Sequence, residues 1–86
     1  MNTVHSLTGE NIHDSIGPKI KDHRIGRGMT QDELAGAAGV KQSLISRIEN
    51  GTANPSLRTL IRIAESLGVE VGELTKGGGG DGQGGV

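Results

Sequence analysis

The sequence predicts an all-α domain, built as a small bundle of four to five helices. Apolar residues recur at the three- and four-residue spacing of helices in several segments, and residues that start and stop helices bracket those segments. No segment has a convincing strand pattern. The chain has 86 residues and lacks Phe, Tyr and Trp, so we expect one domain with an aliphatic core.

Composition divides the chain into three regions. Residues 1–14 are polar and have no sustained period, which predicts a flexible N-terminal arm. Residues 15–75 hold the helical periodicity and predict the folded domain. Residues 76–86 are mostly glycine and predict a disordered tail, because they cannot bury apolar area.

The residue content also predicts the cellular location of the protein. No apolar run approaches the roughly 20 residues that span a bilayer. The N-terminus has no basic segment followed by an apolar one, as a secretory signal would. The chain has no Cys, and its three histidines are not at metal-ligand spacing, so no metal site is expected. We therefore expect a cytoplasmic protein without a membrane partner.

The first helix is expected to begin at Asp14 or Ser15, either of which can cap it. Pro18 then falls in the first turn, where its missing N–H costs nothing. Ile16 and Ile20 form the inner face at helical spacing.

The second helix carries the clearest start and stop signals. Thr30 and Glu33 predict a capping box, in which each side chain accepts a hydrogen bond from a free backbone N–H. Gly39 ends the helix, because the left-handed residue needed there favours glycine. The expected inner face consists of Leu34, Ala35 and Ala38.

The third helix follows almost at once. Val40 fills the corner between the second helix and the third. Helical spacing turns three apolar side chains of the third helix inward, and a second stop signal, Asn50-Gly51, ends it. The inward residues are Leu44, Ile45 and Ile48.

A fourth helix is expected between Ser56, which caps it, and Gly68, which ends it. Ile63 widens its apolar face beyond what one small core requires. A short fifth helix carrying Val71 and Leu74 can close the base of the bundle. The expected inner positions of the fourth helix are Leu57, Leu60, Ile61, Ala64 and Leu67.

Six residues in the stretch from 30 to 51 match a known motif: Gln31, Ala35, Gly39, Val40, Ile45 and Ile48. Their spacing resembles the helix-turn-helix of phage-repressor-like transcription regulators, the lambda/Cro or Xre family. The resemblance extends over roughly residues 16–74. It implies a lambda-repressor-like DNA-binding domain, a sequence-specific transcriptional regulator that binds double-stranded DNA as a homodimer. Repression is the family default.

In this family, the helix around residues 41–50 lies in the major groove. Gln can pair in bidentate fashion with adenine and Arg with guanine, which favours Gln42 and Arg47 for base readout. The resemblance implies base contacts by Gln42, Ser43, Ser46 and Arg47. It implies contacts to the DNA backbone by Gln31, Lys41, Asn50 and Arg58. A solvated surface side chain is the alternative for each of them.

The family also pairs an Arg of the first helix with a Glu near the end of the recognition helix. Arg24 and Glu49 stand at those places, so the resemblance implies an ion pair that ties the first helix to the third. The alternative is that Arg24 meets a phosphate.

The net charge of −1 is unusual for a DNA-binding protein, but the distribution of charge matters more. Residues 16–62 carry eight basic and four acidic side chains, and the flanking segments are acidic. The alternative function is a protein-interaction module on the same fold, either the antitoxin of a toxin–antitoxin pair or a coactivator-like bridging factor. Catalysis and a cofactor are not expected, because so small a helical domain has too little volume for a pocket.

Overall fold

Five α-helices make up the part of the chain that the computed structural model describes, residues 9–75, with side chains described from residue 16 onward. No strand occurs among those residues, and the all-α prediction is confirmed. None of the described helices is long and apolar enough to cross a membrane. The helices are α1 (Gly9–Gly26), α2 (Gln31–Ala38), α3 (Gln42–Glu49), α4 (Leu57–Leu67) and α5 (Val71–Thr75).

Helix α1 begins earlier than the sequence predicts. It starts at Gly9, so residues 9–14 belong to the helix and Pro18 lies inside it, beyond the first turn. A nucleated helix gains one hydrogen bond for each residue added, and no proline precedes Pro18 to stop that growth. The rest of the predicted arm, residues 1–8, and the predicted tail, residues 76–86, lie outside the described residues.

The capping box predicted at the start of α2 is present. Thr30 Oγ1 accepts a hydrogen bond from the Glu33 N–H at 3.0 Å, and the Thr30 N–H donates to Glu33 Oε1 at 2.8 Å. Gly39 ends α2 with a φ of 74°, in the left-handed region that favours glycine. The Val40 N–H then donates to the Ala35 carbonyl oxygen at 3.0 Å, which turns the chain toward α3.

The buried core of the described domain is aliphatic. Helix α2 packs against α3 and α4, and α1 packs against α3 and α5. Leu74 is fully buried, so α5 closes the base of the bundle as predicted. Burial of each large aliphatic side chain stabilises the fold by roughly 1.5–3 kcal/mol. The buried apolar residues are Ile20, Leu34, Ala35, Ala38, Ile45, Ile48, Leu60, Ile63, Ala64, Leu67 and Leu74.

The inner face of α4 differs from the prediction. Ile63 is fully buried, whereas Leu57 and Ile61 are 68% and 40% exposed. Successive residues turn about 100° around a helix, which places Ile63 near Leu60 and Leu67 on the side toward the core. The same rotation leaves Leu57 and Ile61 at the edge of the buried arc. Apolar spacing alone does not show which positions the neighbouring helices cover.

Helices α1 and α3 approach closely at Gly17. A Cβ atom built on Gly17 would lie 2.7 Å from the Glu49 carbonyl oxygen and would also collide with the Ile48 carbonyl oxygen. Both oxygens belong to the backbone, which cannot swing aside as the end of a flexible side chain can. Glycine at this position therefore sets the distance between α1 and the end of α3.

We expect Gly17→Ala to destabilise the fold, because the added methyl group forces α1 away from α3. Overpacking of this kind costs about 1–3 kcal/mol, which a lower midpoint in urea unfolding would show. Gly36→Ala on α2 is the matched control, since a Cβ there meets nothing within 4 Å. Helix propensity should make that control more stable by about 1 kcal/mol. Equal stability of the two variants would contradict the close approach at Gly17.

Candidate nucleic-acid interface

One face of α3 is open to solvent. Ile45 and Ile48 hold the opposite face against the core. Because residues three and four apart share a side of a helix, the four predicted base-contacting side chains lie together on the open face. Ser46 is half-buried, and the other three are exposed: Gln42, Ser43 and Arg47.

Lys41 occupies the N-cap position of α3, but its side chain makes no capping hydrogen bond. An ammonium group only donates, so it cannot accept from the free N–H groups of the first turn as a Ser or Thr hydroxyl would. The Lys41 side chain is exposed. A positive charge and N–H groups without a side-chain cap therefore stand at the same end of α3, where both attract anions.

Arg24 of α1 and Glu49 of α3 form a bidentate ion pair in the interior. Arg24 Nε donates to Glu49 Oε2 at 2.7 Å, and Arg24 Nη2 donates to Glu49 Oε1 at 3.0 Å. Arg24 Nη1 donates to the Met29 carbonyl oxygen at 2.7 Å. The hydrogen bonds to Glu49 raise the pKa of Arg24, against the opposing effect of burial. Each residue of the pair is only 8% exposed, which leaves Arg24 little surface from which to meet a phosphate.

A chain of hydrogen bonds leads from this ion pair to the open face of α3. Gln31 Nε2 donates to Glu49 Oε1 at 3.0 Å, and Gln42 Nε2 donates to Gln31 Oε1 at 2.7 Å. A carboxylate only accepts hydrogen bonds, so Glu49 requires the NH₂ side of the Gln31 amide. That orientation turns the Gln31 oxygen toward Gln42 and draws the Gln42 NH₂ group toward it. The Gln42 oxygen and its second N–H then face solvent, available to a ligand.

The loop after α3 is folded against the end of that helix. Thr52 donates from its N–H and from Oγ1 to Asn50 Oδ1, at 3.1 Å and 2.8 Å. The N–H groups of Thr52 and Ala53 donate to the Arg47 carbonyl oxygen at 2.8 Å and 3.1 Å. Asn50 is exposed and its oxygen is engaged in this turn, so its NH₂ group is the part that it can offer to a phosphate.

The structure brings together some of the predicted residues and not others. Gln31 lies beside Gln42, although sequence reasoning missed their hydrogen bond because no spacing rule links side chains on different helices. Arg58 stands apart, exposed in the first turn of α4, a helix that packs mainly against α2. Among the described side chains, those of residues 16–75, no group of three His, Asp or Glu is placed to hold a metal ion.

Comparison with known proteins decides the family. Residues 20–74, more than half of the chain, match the family described as Helix-turn-helix. The chain belongs to the helix-turn-helix family. The predicted resemblance is thus confirmed, and the matched range contains α2, α3 and α4 together with the Arg24–Glu49 pair.

Two relatives of this helix-turn-helix protein are repressors. It is 38% identical over 56 residues to the cryptic phage CTXphi transcriptional repressor RstR of Vibrio cholerae, a match that covers 65% of this chain and 50% of RstR. It is 38% identical over 60 residues to the immunity repressor protein of Bacillus phage phi105, covering 70% of this chain and 42% of that repressor. The matched region therefore spans about half the length of these two relatives.

The helix-turn-helix protein also shares its fold with solved structures. SinR, the master regulator for biofilm formation, has been solved in complex with DNA and is 40% identical to it, with a TM-score of 0.66. That match covers 69% of this chain and 95% of the SinR chain. SinR has also been solved in complex with the SinI protein; there the match covers 69% of this chain and 58% of that chain.

We expect Arg24→Ala and Glu49→Ala each to destabilise the fold, because each variant leaves one buried charge without its partner. The cost of such a loss is about 3–5 kcal/mol, measurable by urea denaturation. The double variant Arg24→Met/Glu49→Leu should recover much of that stability, since it leaves no charge buried.

Asp22→Ala is the control for these variants, because it removes an exposed acidic side chain from the same α1 helix. Its stability should stay within about 0.5 kcal/mol of the unaltered chain. Single variants of Arg24 and Glu49 that are as stable as this control would show that the buried ion pair does not hold α1 to α3.

Proposed function

We propose that this chain is a sequence-specific transcriptional regulator that binds double-stranded DNA, acts as a repressor and reads the major groove with residues 41–50. The observation that carries the proposal is the open face of α3, where Gln31 holds the Gln42 amide in one orientation. An α-helix fits the major groove, which is about 12 Å wide. The relatives support this function, since two are repressors and SinR has been solved with DNA.

Base recognition would rest on side chains from both turns of α3. The oxygen and second N–H of Gln42 match the donor and acceptor on the major-groove edge of adenine. The Arg47 guanidinium matches the two acceptors on the major-groove edge of guanine. Each such bidentate pair favours the correct base over a wrong one by about 1–3 kcal/mol. Ser43 and Ser46 lie between these two residues on the open face and are short enough to accept either type of base.

Contacts to the DNA backbone would come from the rim of this face. Gln31 is the first residue of α2, so its backbone N–H has no partner within the helix and can donate to a phosphate. Lys41 adds a positive charge at the start of α3, and Asn50 offers its NH₂ group at the end. Arg58 extends the basic surface onto α4. Such contacts position the protein but carry no base preference.

Useful affinity requires two copies, because one small domain offers few contacts. We therefore propose a homodimer on two half-sites about one helical turn apart, ~34 Å.

Repression is proposed because RstR and the phi105 immunity repressor are named for it. These relatives come from a bacterium and a bacterial phage, whose DNA lies in the cytoplasm, and we place this chain there as well.

A protein-interaction module remains the alternative function on this fold, as an antitoxin or a bridging factor. The SinR–SinI complex shows that a related regulator has a protein partner, but the names of the relatives favour DNA binding. A gel shift with salt titration separates the two functions, because phosphate contacts make DNA binding weaken as salt increases.

Arg47→Ala and Lys41→Ala should differ in their effect on DNA binding. We expect Arg47→Ala to lose about 1–3 kcal/mol of discrimination at one base pair, because it removes a base contact. Lys41→Ala should weaken binding to all sequences alike and reduce the salt slope by about 1, because it removes a phosphate contact. Equilibrium titration against a panel of DNA sequences, at several salt concentrations, measures both effects.

Lys21→Ala is the matched control for this comparison, since it removes an exposed positive charge from α1, a helix that carries none of the proposed DNA contacts. It should change neither base discrimination nor the salt slope by a comparable amount. If Arg47→Ala and Lys41→Ala behave like this control, α3 does not dock in the groove as proposed.

A double-mutant cycle tests whether Gln31 orients Gln42. We expect Gln42→Ala to relax preference at one base pair by about 1–3 kcal/mol. Gln31→Ala should relax preference at the same base pair, because it frees the Gln42 amide to rotate. The double variant should lose less than the sum of the single losses, since the two residues share one interaction. Additive losses, or a Gln31→Ala loss equal for all sequences, would contradict the orienting role.

A further inference from the structure

The turn after α3 places Asn50 directly before Gly51, and both residues are exposed. Asparagine is one of the chemically least stable side chains. When glycine follows it, the backbone nitrogen of the glycine can attack the side-chain amide, because glycine has no Cβ to hinder the approach. A reactive pair of residues therefore stands in solvent at the end of the helix that is proposed to read DNA.

We infer that Asn50 is a deamidation site, that the folded turn restrains the reaction, and that the reaction removes the contact that Asn50 offers to DNA. The modification site and its restraint depend on the turn alone. The effect on DNA binding rests on the proposed function.

The reaction needs water as its only co-reactant. The Gly51 nitrogen forms a bond to Asn50 Cγ and gives up its proton, and the side-chain amide leaves as ammonia. A five-membered succinimide ring results. Water then opens this ring at one of its two carbonyl carbons and leaves either an aspartate or an isoaspartate. One water is taken up and one ammonia is released for each chain that reacts.

The hydrogen bonds of the turn oppose ring closure. Asn50 Oδ1 accepts from the Thr52 N–H at 3.1 Å and from Thr52 Oγ1 at 2.8 Å, which fixes the side chain. The attacking nitrogen of Gly51 donates its N–H to the Ile48 carbonyl oxygen at 3.2 Å. Asn50 has a ψ of 7°, which eclipses the Gly51 nitrogen with the Asn50 nitrogen, whereas the ring requires it beside Cβ. Deamidation therefore waits for the turn to open locally.

Both products would change the DNA-facing end of α3. The aspartate product can still accept both hydrogen bonds from Thr52, so the turn can close again. However, it has no NH₂ group to donate to a phosphate, and its negative charge faces the negative DNA backbone. The isoaspartate product inserts a side-chain carbon into the main chain and disrupts the turn. Binding should weaken for DNA of any sequence, because the lost contact carries no base preference.

Peptide mass spectrometry of the full chain, aged at mildly alkaline pH, tests the modification site. Trypsin cleaves after Arg47 and Arg58, so Asn50 and Asn54 lie on one peptide. Asn54 is the matched control, because it is also exposed but precedes Pro55, whose nitrogen has no proton to give up. We expect aspartate and isoaspartate to form at Asn50 and not at Asn54. If Asn50 stays as intact as Asn54, the inference is overturned.

Thr52→Val tests the restraint by the turn. This variant keeps the size of the side chain but removes the hydroxyl that donates to Asn50 Oδ1. We expect deamidation of Asn50 to accelerate about two- to tenfold, because one fewer hydrogen bond holds the turn closed. Thr75→Val is the matched control, since it removes a hydroxyl from α5, outside the turn, and should leave the rate unchanged. Equal rates in the two variants would contradict the restraint.

Asn50→Asp tests the effect on DNA binding without waiting for the reaction. In a gel shift with mixed-sequence duplex DNA at low salt, we expect its affinity to fall about tenfold or more. Asn54→Asp adds the same charge to the same loop and should weaken binding by a smaller factor. Equal losses would show that added charge, and not a contact by Asn50, explains the effect.

Deamidation in the presence of the same DNA separates this inference from the proposed function. Free duplex at about ten times its Kd should slow the reaction about tenfold, because only the unbound chain can open the turn. DNA that binds without slowing deamidation would contradict the contact by Asn50. Deamidation at Asn50 in a chain that binds no duplex would reject the proposed function and support the modification site.

Discussion

The buried carboxylate of Glu49 is the constraint on which the rest of this structure depends. It accepts hydrogen bonds from Arg24 of α1 and from Gln31 of α2, so three helices meet at one negative charge. A buried charge is costly unless it is paired and hydrogen-bonded. The relative placement of α1, α2 and α3 is therefore fixed by hydrogen-bond geometry as well as by apolar packing, and Gly17 permits the close approach that this geometry requires.

The same carboxylate couples the interior to the surface. Each glutamine amide has an NH₂ group that donates and an oxygen that accepts. Because the Glu49 carboxylate can only accept, Gln31 turns its NH₂ group toward Glu49, and Gln42 in turn donates to the Gln31 oxygen. Gln42 consequently presents a defined pattern of one acceptor and one donor to solvent before any ligand arrives. Preorganisation of this kind reduces the conformational entropy that is lost on binding.

Local signals made most of the fold predictable from the sequence. The capping box at Thr30 and the turn at Gly39 depend on residues a few positions apart, and both are present. The covered side of α4 depends on its neighbours in space, so periodicity did not separate the buried Ile63 from the exposed Leu57. For the candidate site, helical spacing predicted the open face of α3. The hydrogen bonds that hold Gln42 cross between helices and required the structure.

The aliphatic core has a consequence for how this protein can be studied. A chain without aromatic side chains neither absorbs appreciably nor fluoresces in the near ultraviolet. Light emitted by a fluorescent base analogue in a duplex can therefore be followed without background from the polypeptide. The same property means that protein concentration has to be measured from peptide-bond absorbance or refractive index.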